Sequence, residues 1–577
     1  MSVVPVPMSI TDLVNEFQRG QMQLPEMQRG YVWNARQVRD LLDSLYRGYP
    51  TGNILRWERY NNFVELRDAA IDQKKETWAN PTLLLDGQQR ITSLSSVILG
   101  EDIKVKDSKK TIDIYFNVDY EEKIECSDIN SEEDIDIPEE DDDEDDEDEN
   151  DVEENISEEK SIIENYKKPF IVGNNSVKQN PKWISVKEIF MAKDINIFLM
   201  RLGIKSFDDP RYNKYSTRLN RVRDIKNYQF PVITLKKELQ YEEVAEIFVR
   251  INSLGSRLKG SDLALAQITS KWKGSLKLFE DFIKECKKDK WSININILLR
   301  TLVAIITDQS KFKAVSNLSI QDLQDGWEKT KEVLDFTLSF LRQNFFVENE
   351  KLLSSPSLII ILAYFAFKKK KLISPEDTKL LKKWFLIANS KGRYSWGSTE
   401  SKMDEDLSAI CDNEINLLLV NLEKQFGRLT ITEDDLKGKN RKSGFFKTMF
   451  ILMHKYGAKD WKTNLVISTM HQGKKDKIEF HHIFPKNILK GKYESKNIND
   501  IANLTFIGKI TNIKISDDYP EEYMNTIINE RGFEILEEHC IPKDENLRKI
   551  DNFPKFIEER RKLICNLINN YLKEEAE

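Results

Sequence analysis

Eighteen acidic residues and no basic one occupy the 23 positions from Glu132 to Glu154. Charges of one sign at that density repel one another, and almost nothing apolar lies among them to bury, so the stretch cannot be part of a folded core. It reads as a disordered insertion over about 121–160, either simply solvated or acting as a nucleic-acid mimic that shields a basic groove. Without it the charge balance inverts. The chain of 577 residues has a net charge of −8, and the residues outside this run carry +10. The folded part is therefore basic.

The length suggests about three to five compact units at ~100–200 residues each. Five scattered cysteines with no CxxC pair argue for reduced thiols and against a thiolate zinc site. The N-terminus has no basic stretch followed by an apolar core. The longest apolar run, Leu358 to Phe367, is half of what crosses a bilayer and precedes four lysines, so it reads as a buried helix. A cytoplasmic protein without a membrane partner is the expectation.

Helical and strand signals alternate over the first 120 residues. Ser9 or Thr11 can cap a helix carrying Leu13 and Phe17, and Asn34 a second with Val38, Leu41, Leu42 and Leu45 on one face. Thr82 to Leu85 reads as a strand, Asp86-Gly87 as a turn and Ile91 to Ile98 as a helix. Strands are expected at Ile112 to Val118 and Phe230 to Leu235, helices from Tyr241 and Ser261, and a turn at Asn252 to Gly255. Between about 275 and 430 the periodicity is almost wholly helical. The spacing thus predicts a multidomain α+β chain, mostly helical, divided as 1–270, 271–430 and 431–577.

From Lys437 to Lys492 there are 14 basic and 3 acidic residues, a density that suits a phosphate backbone as well as a solvated lysine-rich face. All five histidines lie at or after position 454, and His481 and His482 are adjacent in a strand-like segment that runs into Ile483-Phe484-Pro485. Asn503 to Ile507 reads as a second strand, Asn512 follows, and Glu521 to Asn529 is helical in character. Phosphodiester hydrolysis needs a base near neutrality, which imidazole supplies, and a hard divalent ion. The strings His481 to Pro485, Ile501 to Thr505, Thr511-Asn512 and Ile515-Ser516 to Pro520 resemble the HNH-type (ββα-metal) nuclease domain of GmrSD-like restriction enzymes, over roughly 437–560. That resemblance implies His482 as general base, His481 and Asn512 as ligands of Mg²⁺ or Mn²⁺, and Asn503 as the residue that orients the base. His454, His471 and His539 are read as surface or structural.

Two polar strings, Gln28-Arg29-Gly30-Tyr31-Val32-Trp33 and Asp86-Gly87-Gln88-Gln89-Arg90, fall where strands should run into helices. Such a turn presents free N–H groups to an anion, and Arg90 can add a forked contact. Asp86 can hold Mg²⁺ or a water, or cap the helix; Tyr31 and Trp33 can stack on a base or fill the core. Neither string is a Walker P-loop. Pro25 to Trp33 with Asp86 to Arg90, then Phe248 to Gly255 with Leu258 and Asp262, resemble the DGQQR domain of GmrSD-like proteins, which has a ParB/sulfiredoxin-like core, and with Gly392 to Ser395 in the helical region the resemblance spans nearly the whole chain apart from the acidic insert; SspE and BrxU are similar two-domain proteins. The resemblance implies binding and hydrolysis of a nucleoside triphosphate (GTP, ATP or another) with Mg²⁺, and sensing of modified DNA. Asp86, Gln88, Gln89 and Arg90 would take catalytic roles, with Gln28, Arg29, Arg250 and Asn252 completing the nucleotide pocket.

The combined expectation is a nucleotide-regulated, modification-dependent DNA endonuclease acting against foreign DNA by nicking or double-strand cleavage, compatible with a homo-oligomer. A phosphorothioate-sensing SspE-type nickase is a close variant. A non-catalytic DNA-binding regulator is the alternative of another class, and a general RNA nuclease a further one.

Overall fold

The computed structural model describes residues 5–28, 30–58, 66–67, 69–71, 73, 81–101, 103–105, 108–110, 112–120, 169–239, 243–244, 246–248, 250, 260–412, 414–471 and 477–575. The acidic insertion, Arg29 and the expected turn with Asn252 lie outside them. The chain forms two compact units, Met1–Leu276 and Lys277–Glu577, fewer than length alone suggests. The helical stretch before 430 and the histidine-bearing stretch after it share the second unit.

The first unit opens with β1 (Val6–Ser9), α1 (Ile10–Gln18), β2 (Met22–Pro25), α2 (Ala35–Arg47), β3 (Ile54–Glu58), β4 (Leu66–Arg67), β5 (Thr82–Asp86) and α3 (Gln88–Leu99). It continues through β6 (Ile103–Val105), β7 (Ser108–Lys110), β8 (Ile114–Asn117), β9 (Phe170–Val172), β10 (Trp183–Ser185) and β11 (Gln229–Leu235). Of the two candidate caps of α1 it is Ser9 that accepts from the Asp12 N–H, at 3.1 Å; the Thr11 hydroxyl donates to the Lys226 carbonyl instead. Asn34 and Gln37 form a reciprocal capping box on α2, whose apolar stripe Val38, Leu41, Leu42 and Leu45 is buried as the 3.6-residue period requires.

Six strands form a mixed sheet in the order β1-β11-β3-β5-β2-β4. At its centre β5 runs parallel to β2 and antiparallel to β3, and its register against β3 shifts between Leu55 and Arg56. Leu83 to Leu85 are fully buried in β5, and the strand delivers Asp86 to its own C-terminal end, where α3 begins. Gly87 turns the chain there with φ +96°, and a Cβ at this position would strike the Ile54 side chain. A second, three-stranded sheet follows the order β10-β8-β9.

In the second unit the helices Ile295–Thr307, Ile320–Phe345 and Ser357–Lys368 pack on one another. Leu358 to Ala366 are buried on every side, so the longest apolar run is a core helix. Among the described residues no helix is long and apolar enough to cross a membrane. The Gly392–Ser395 string places Arg393 in the interior. Its guanidinium meets Asp406 at 2.5 and 2.8 Å and the Gln425 Oε1 at 2.8 Å, and Asn421 donates to the same aspartate at 3.0 Å. That string joins three helices, Pro375–Lys391, Thr399–Cys411 and Asn416–Phe426.

Beyond these helices, β12 (Ile478–His482) and β13 (Leu504–Gly508) pair antiparallel and lead into the helix Lys509–Ile515. The helices Pro520–Arg531 and Phe553–Glu574 complete the unit. The chain is thus a mostly helical, multidomain α+β protein.

Candidate functional sites

In the first unit the polar strings do meet, because β5 ends beside the loop that follows β2. Gln89 spans 57 residues of sequence: its Oε1 accepts from the Val32 and Trp33 N–H groups at 2.8 and 3.3 Å, and its Nε2 donates to the Gly30 carbonyl at 3.1 Å. Gln28 is buried and donates to the Leu84 carbonyl at 2.6 Å. Tyr31 is buried with its hydroxyl 2.8 Å from Ser93, and Trp33 packs on the same core, so both aromatics serve as core residues.

Arg90 is the residue whose position departs most from a free phosphate fork. It donates to the Thr51 carbonyl, to the Asn53 carbonyl at 2.8 Å and to Asp86 Oδ2 at 3.2 Å. A Cβ at Gly52 would collide with its guanidinium. Asp86 does not cap α3, whose N-terminus has no side-chain cap; its side chain is 38% exposed and pairs with Arg90. Gln88 is buried at the first turn of α3. What remains open at this turn is the exposed part of Asp86 beside the uncapped N–H groups of α3. Arg250 sits on helical backbone that packs through Val244 and Phe248 near Met27 and Leu85, and its own guanidinium points outward onto Glu246 at 2.5 Å.

In the second unit β12 carries Glu479 and His481 on one face and His482 on the other, as the two-residue period of a strand dictates. His481 is buried, and its Nδ1 lies 2.9 Å from Asn512 Oδ1 on the helix that follows β13. The Asn512 amide nitrogen donates to Glu479 at 3.2 Å, which turns its oxygen toward the imidazole. The His481 Nε2 is buried without a hydrogen-bond partner, and the ring packs edge-on against Trp461 and Tyr523.

His482 is half-buried, with Nε2 3.2 Å from the Asn499 Oδ1. Burial holds His481 down to about 4; burial first, then the charge of Lys486, holds His482 down to about 3. Both imidazoles are therefore neutral near pH 7. Arg441 adds to the positive field on His482 and lies over the Phe480 ring at 5.0 Å.

Asn503 is fully buried and reaches the main chain rather than the imidazole. It accepts from the Phe484 N–H at 2.9 Å and donates to the Phe484 and Ile498 carbonyls at 3.1 and 2.9 Å. It acts on His482 only by fixing the backbone just after it. The residue on the ring is Asn499, which sequence reasoning missed because nothing in its spacing marks it. Among the other histidines, His539 is fully buried between the Thr505 hydroxyl and the Lys459 carbonyl, both at 2.8 Å; His471 meets the Val466 carbonyl and His454 stands near Glu348.

Among the described residues no three His, Cys, Asp or Glu side chains converge on one point. The donor pair that does converge is His481 Nδ1 with Asn512 Oδ1. That 2.9 Å contact is a hydrogen bond in which the amide oxygen accepts, so Nδ1 carries the proton, and the pair can hold an ion only once that proton has left Nδ1 for Nε2, which has no partner of its own. One neutral imidazole and one amide oxygen fit a divalent ion that keeps most of its water.

The chain is similar over 97% of its length to an uncharacterized protein, MJ0686, of Methanocaldococcus jannaschii, at 26% identity and covering 98% of that protein. Residues 10–269 match the family model described as GmrSD restriction endonuclease, N-terminal domain. That span takes in every strand of the six-stranded sheet but the first, the Gln89 clamp and the Asp86–Arg90 turn, so the likeness to the GmrSD N-terminal domain covers nearly all of the first unit.

Proposed function

We propose that the chain is a nucleotide-regulated, modification-dependent DNA endonuclease of a defence system, with an HNH-type nuclease site at its second unit. The observation that carries the reading is the histidine turn. A neutral, half-buried imidazole flanked by Arg441 and Lys486 stands one residue from a hydrogen-bonded imidazole–carboxamide pair of ligand-type atoms, in a chain whose residues 10–269 match a restriction-endonuclease N-terminal domain.

In this reading His482 takes the proton from the attacking water, and a neutral ring can do so without first losing one of its own. His481 and Asn512 hold Mg²⁺ or Mn²⁺, which when bound stabilises charge on the phosphate and its leaving oxygen. Arg441 and Lys486, with the exposed Lys437, Lys439, Lys442, Lys490 and Lys492, attract the phosphate backbone. At the first unit, Asp86 and the uncapped start of α3 receive a nucleoside triphosphate with its Mg²⁺, while Gln28, Gln89 and Arg90 shape the loops around it. Arg29, Arg250 and Asn252 keep the nucleotide role that the family resemblance implies. Nucleotide turnover, or capture of a modified base, favours the cleaving state of the protein and so gates a nuclease that has no sequence code of its own.

The test is plasmid nicking with Mg²⁺ or Mn²⁺, with and without GTP or ATP, on plain, hydroxymethylated or glucosylated, and phosphorothioate DNA. His482→Ala should abolish cleavage and leave nucleotide hydrolysis intact. Nicking by purified His482→Ala would remove the base assignment. Licensing by phosphorothioate DNA would select the SspE-type variant. Absence of both turnover and cleavage on every substrate would favour a non-catalytic regulator.

A further inference from the structure

We infer that Asn499 is a positioning residue that fixes the tautomer and rotation of the His482 ring. The catalytic consequence rests on the nuclease reading above; the tautomer itself does not.

The Asn499 amide is oriented from behind. Its Nδ2 donates to the Ser495 carbonyl at 3.1 Å and to the Ser495 hydroxyl at 3.2 Å, while its Oδ1 lies 3.2 Å from His482 Nε2. A carbonyl oxygen can only accept, so the amide must present its N–H₂ to Ser495 and its oxygen to the imidazole. That oxygen can also only accept. The hydrogen bond to the ring therefore requires the proton on Nε2, and a neutral imidazole with its proton there has its lone pair on Nδ1. Moving the proton to Nδ1 would set two lone pairs against each other at 3.2 Å, or force the amide over and set its oxygen against the Ser495 carbonyl, with the loss of that bond.

The segment that carries Asn499 is itself braced, so the grip is stiff. Asp500, fully buried, accepts from the Gly438 and Ala502 N–H groups and pairs with Arg561 at 2.5 Å. Three residues further on, Asn503 pins the Phe484 N–H, and its own carbonyl accepts from the Ile483 N–H at 2.8 Å. One short stretch thus holds the main chain after His482 with Asn503 and the ring of His482 with Asn499. The lone pair left on Nδ1 is the one available to a water.

The experiment uses the full chain labelled with ¹⁵N in its histidine rings. Long-range ¹H–¹⁵N spectra near neutral pH, with His482 assigned by its loss in His482→Ala, are compared for the wild type, Asn499→Ala, Asn499→Asp and Ser495→Ala. In the wild type the His482 Nδ1 resonance should sit at the limiting position of a lone-pair nitrogen. In Asn499→Ala it should move toward the averaged position of a free imidazole, with a smaller move in Ser495→Ala. Cleavage by Asn499→Ala should show kcat reduced about 100-fold, the order that a small misplacement of a catalytic group costs, with KM within about 3-fold. Asn499→Asp, which keeps an acceptor opposite Nε2, should stay within about 3-fold of wild-type kcat.

An unmoved His482 resonance in Asn499→Ala overturns the inference, as does a moved resonance with unchanged kcat. If Asn499→Ala does not fold, a limiting Nδ1 position in Asn499→Asp supports the inference and a shifted one overturns it. If the wild type cleaves no DNA, the nuclease reading fails, and the ring resonances still decide whether Asn499 sets the tautomer.

Discussion

At the scale of single residues, the second unit is unusual for how many neutral histidines it keeps inside. His481 and His539 are held down to about 4 and His482 to about 3, in each case first by burial. In the unfolded chain each would titrate near 6.5. As pH falls through that value the unfolded state takes up protons that the folded state refuses, so stability is complete above about pH 7 and is lost between pH 6.5 and about 4. Each such group contributes a slope of up to about 1.4 kcal/mol per pH unit. Urea unfolding followed from pH 7.5 to 4.5 should show this decline, and His539→Asn should make it shallower; a flat profile would contradict the neutral, buried assignment. Gln89 is the corresponding residue in the first unit. Gln89→Leu leaves the Val32 and Trp33 N–H groups and the Gly30 carbonyl without their partner. It should cost about 1–3 kcal/mol in urea unfolding and slow nucleotide turnover through a loosened loop.

At the scale of elements, the scaffold behind the histidine turn depends on its C-terminal helix. Phe553–Glu574 sends Arg560, fully buried, onto the Ala502 and Leu504 carbonyls at 2.8 and 2.7 Å, the Ile501 carbonyl at 3.3 Å and the His539 carbonyl at 3.1 Å. Four carbonyl dipoles take the place of a carboxylate. Burial lowers this guanidinium to about 10, which leaves it charged at neutral pH. Arg560→Met removes the donor to all four groups at the point where β13 begins and should destabilise the second unit by about 3–5 kcal/mol, read as a lower urea midpoint. Asp460 braces the other end of β13: it accepts from the Gly508 N–H at 2.6 Å and the Thr511 hydroxyl at 2.7 Å. The helix bearing Asn512 is thereby held to the end of β13, which pairs with the strand that bears His481.

At the scale of the whole molecule, charge is segregated along the chain. An acidic run of −18 stands between residues 132 and 154, and the segment 437–492 carries a net +11. Exposed lysines of that segment act together through a screened field rather than through any single contact. Changing Lys437, Lys439 and Lys442 together to Gln should weaken DNA binding about equally across sequences and reduce the salt slope of the binding constant by roughly three. Nucleotide hydrolysis should be unaffected. A loss of affinity independent of salt would argue against phosphate contacts.

The sequence by itself determined what depends on neighbours within a few residues: the cap and stripe of α2, the burial of Leu358 to Ala366, the strand, turn and helix around Asp86, and the pair of strands of which one bears His481 and the other begins just after Asn503. Periodicity and capping are local, so they survive being read one residue at a time. The tertiary structure alone decided the partners. Arg90 turns to the carbonyls of residues 51 and 53 instead of lying free, because the loop before β3 passes under α3. Asn503 serves the main chain while Asn499, 17 residues from His482, serves its ring; Asn512 reaches His481 across 31 residues. Strand register and helix packing set those pairings, and a side chain's identity records neither.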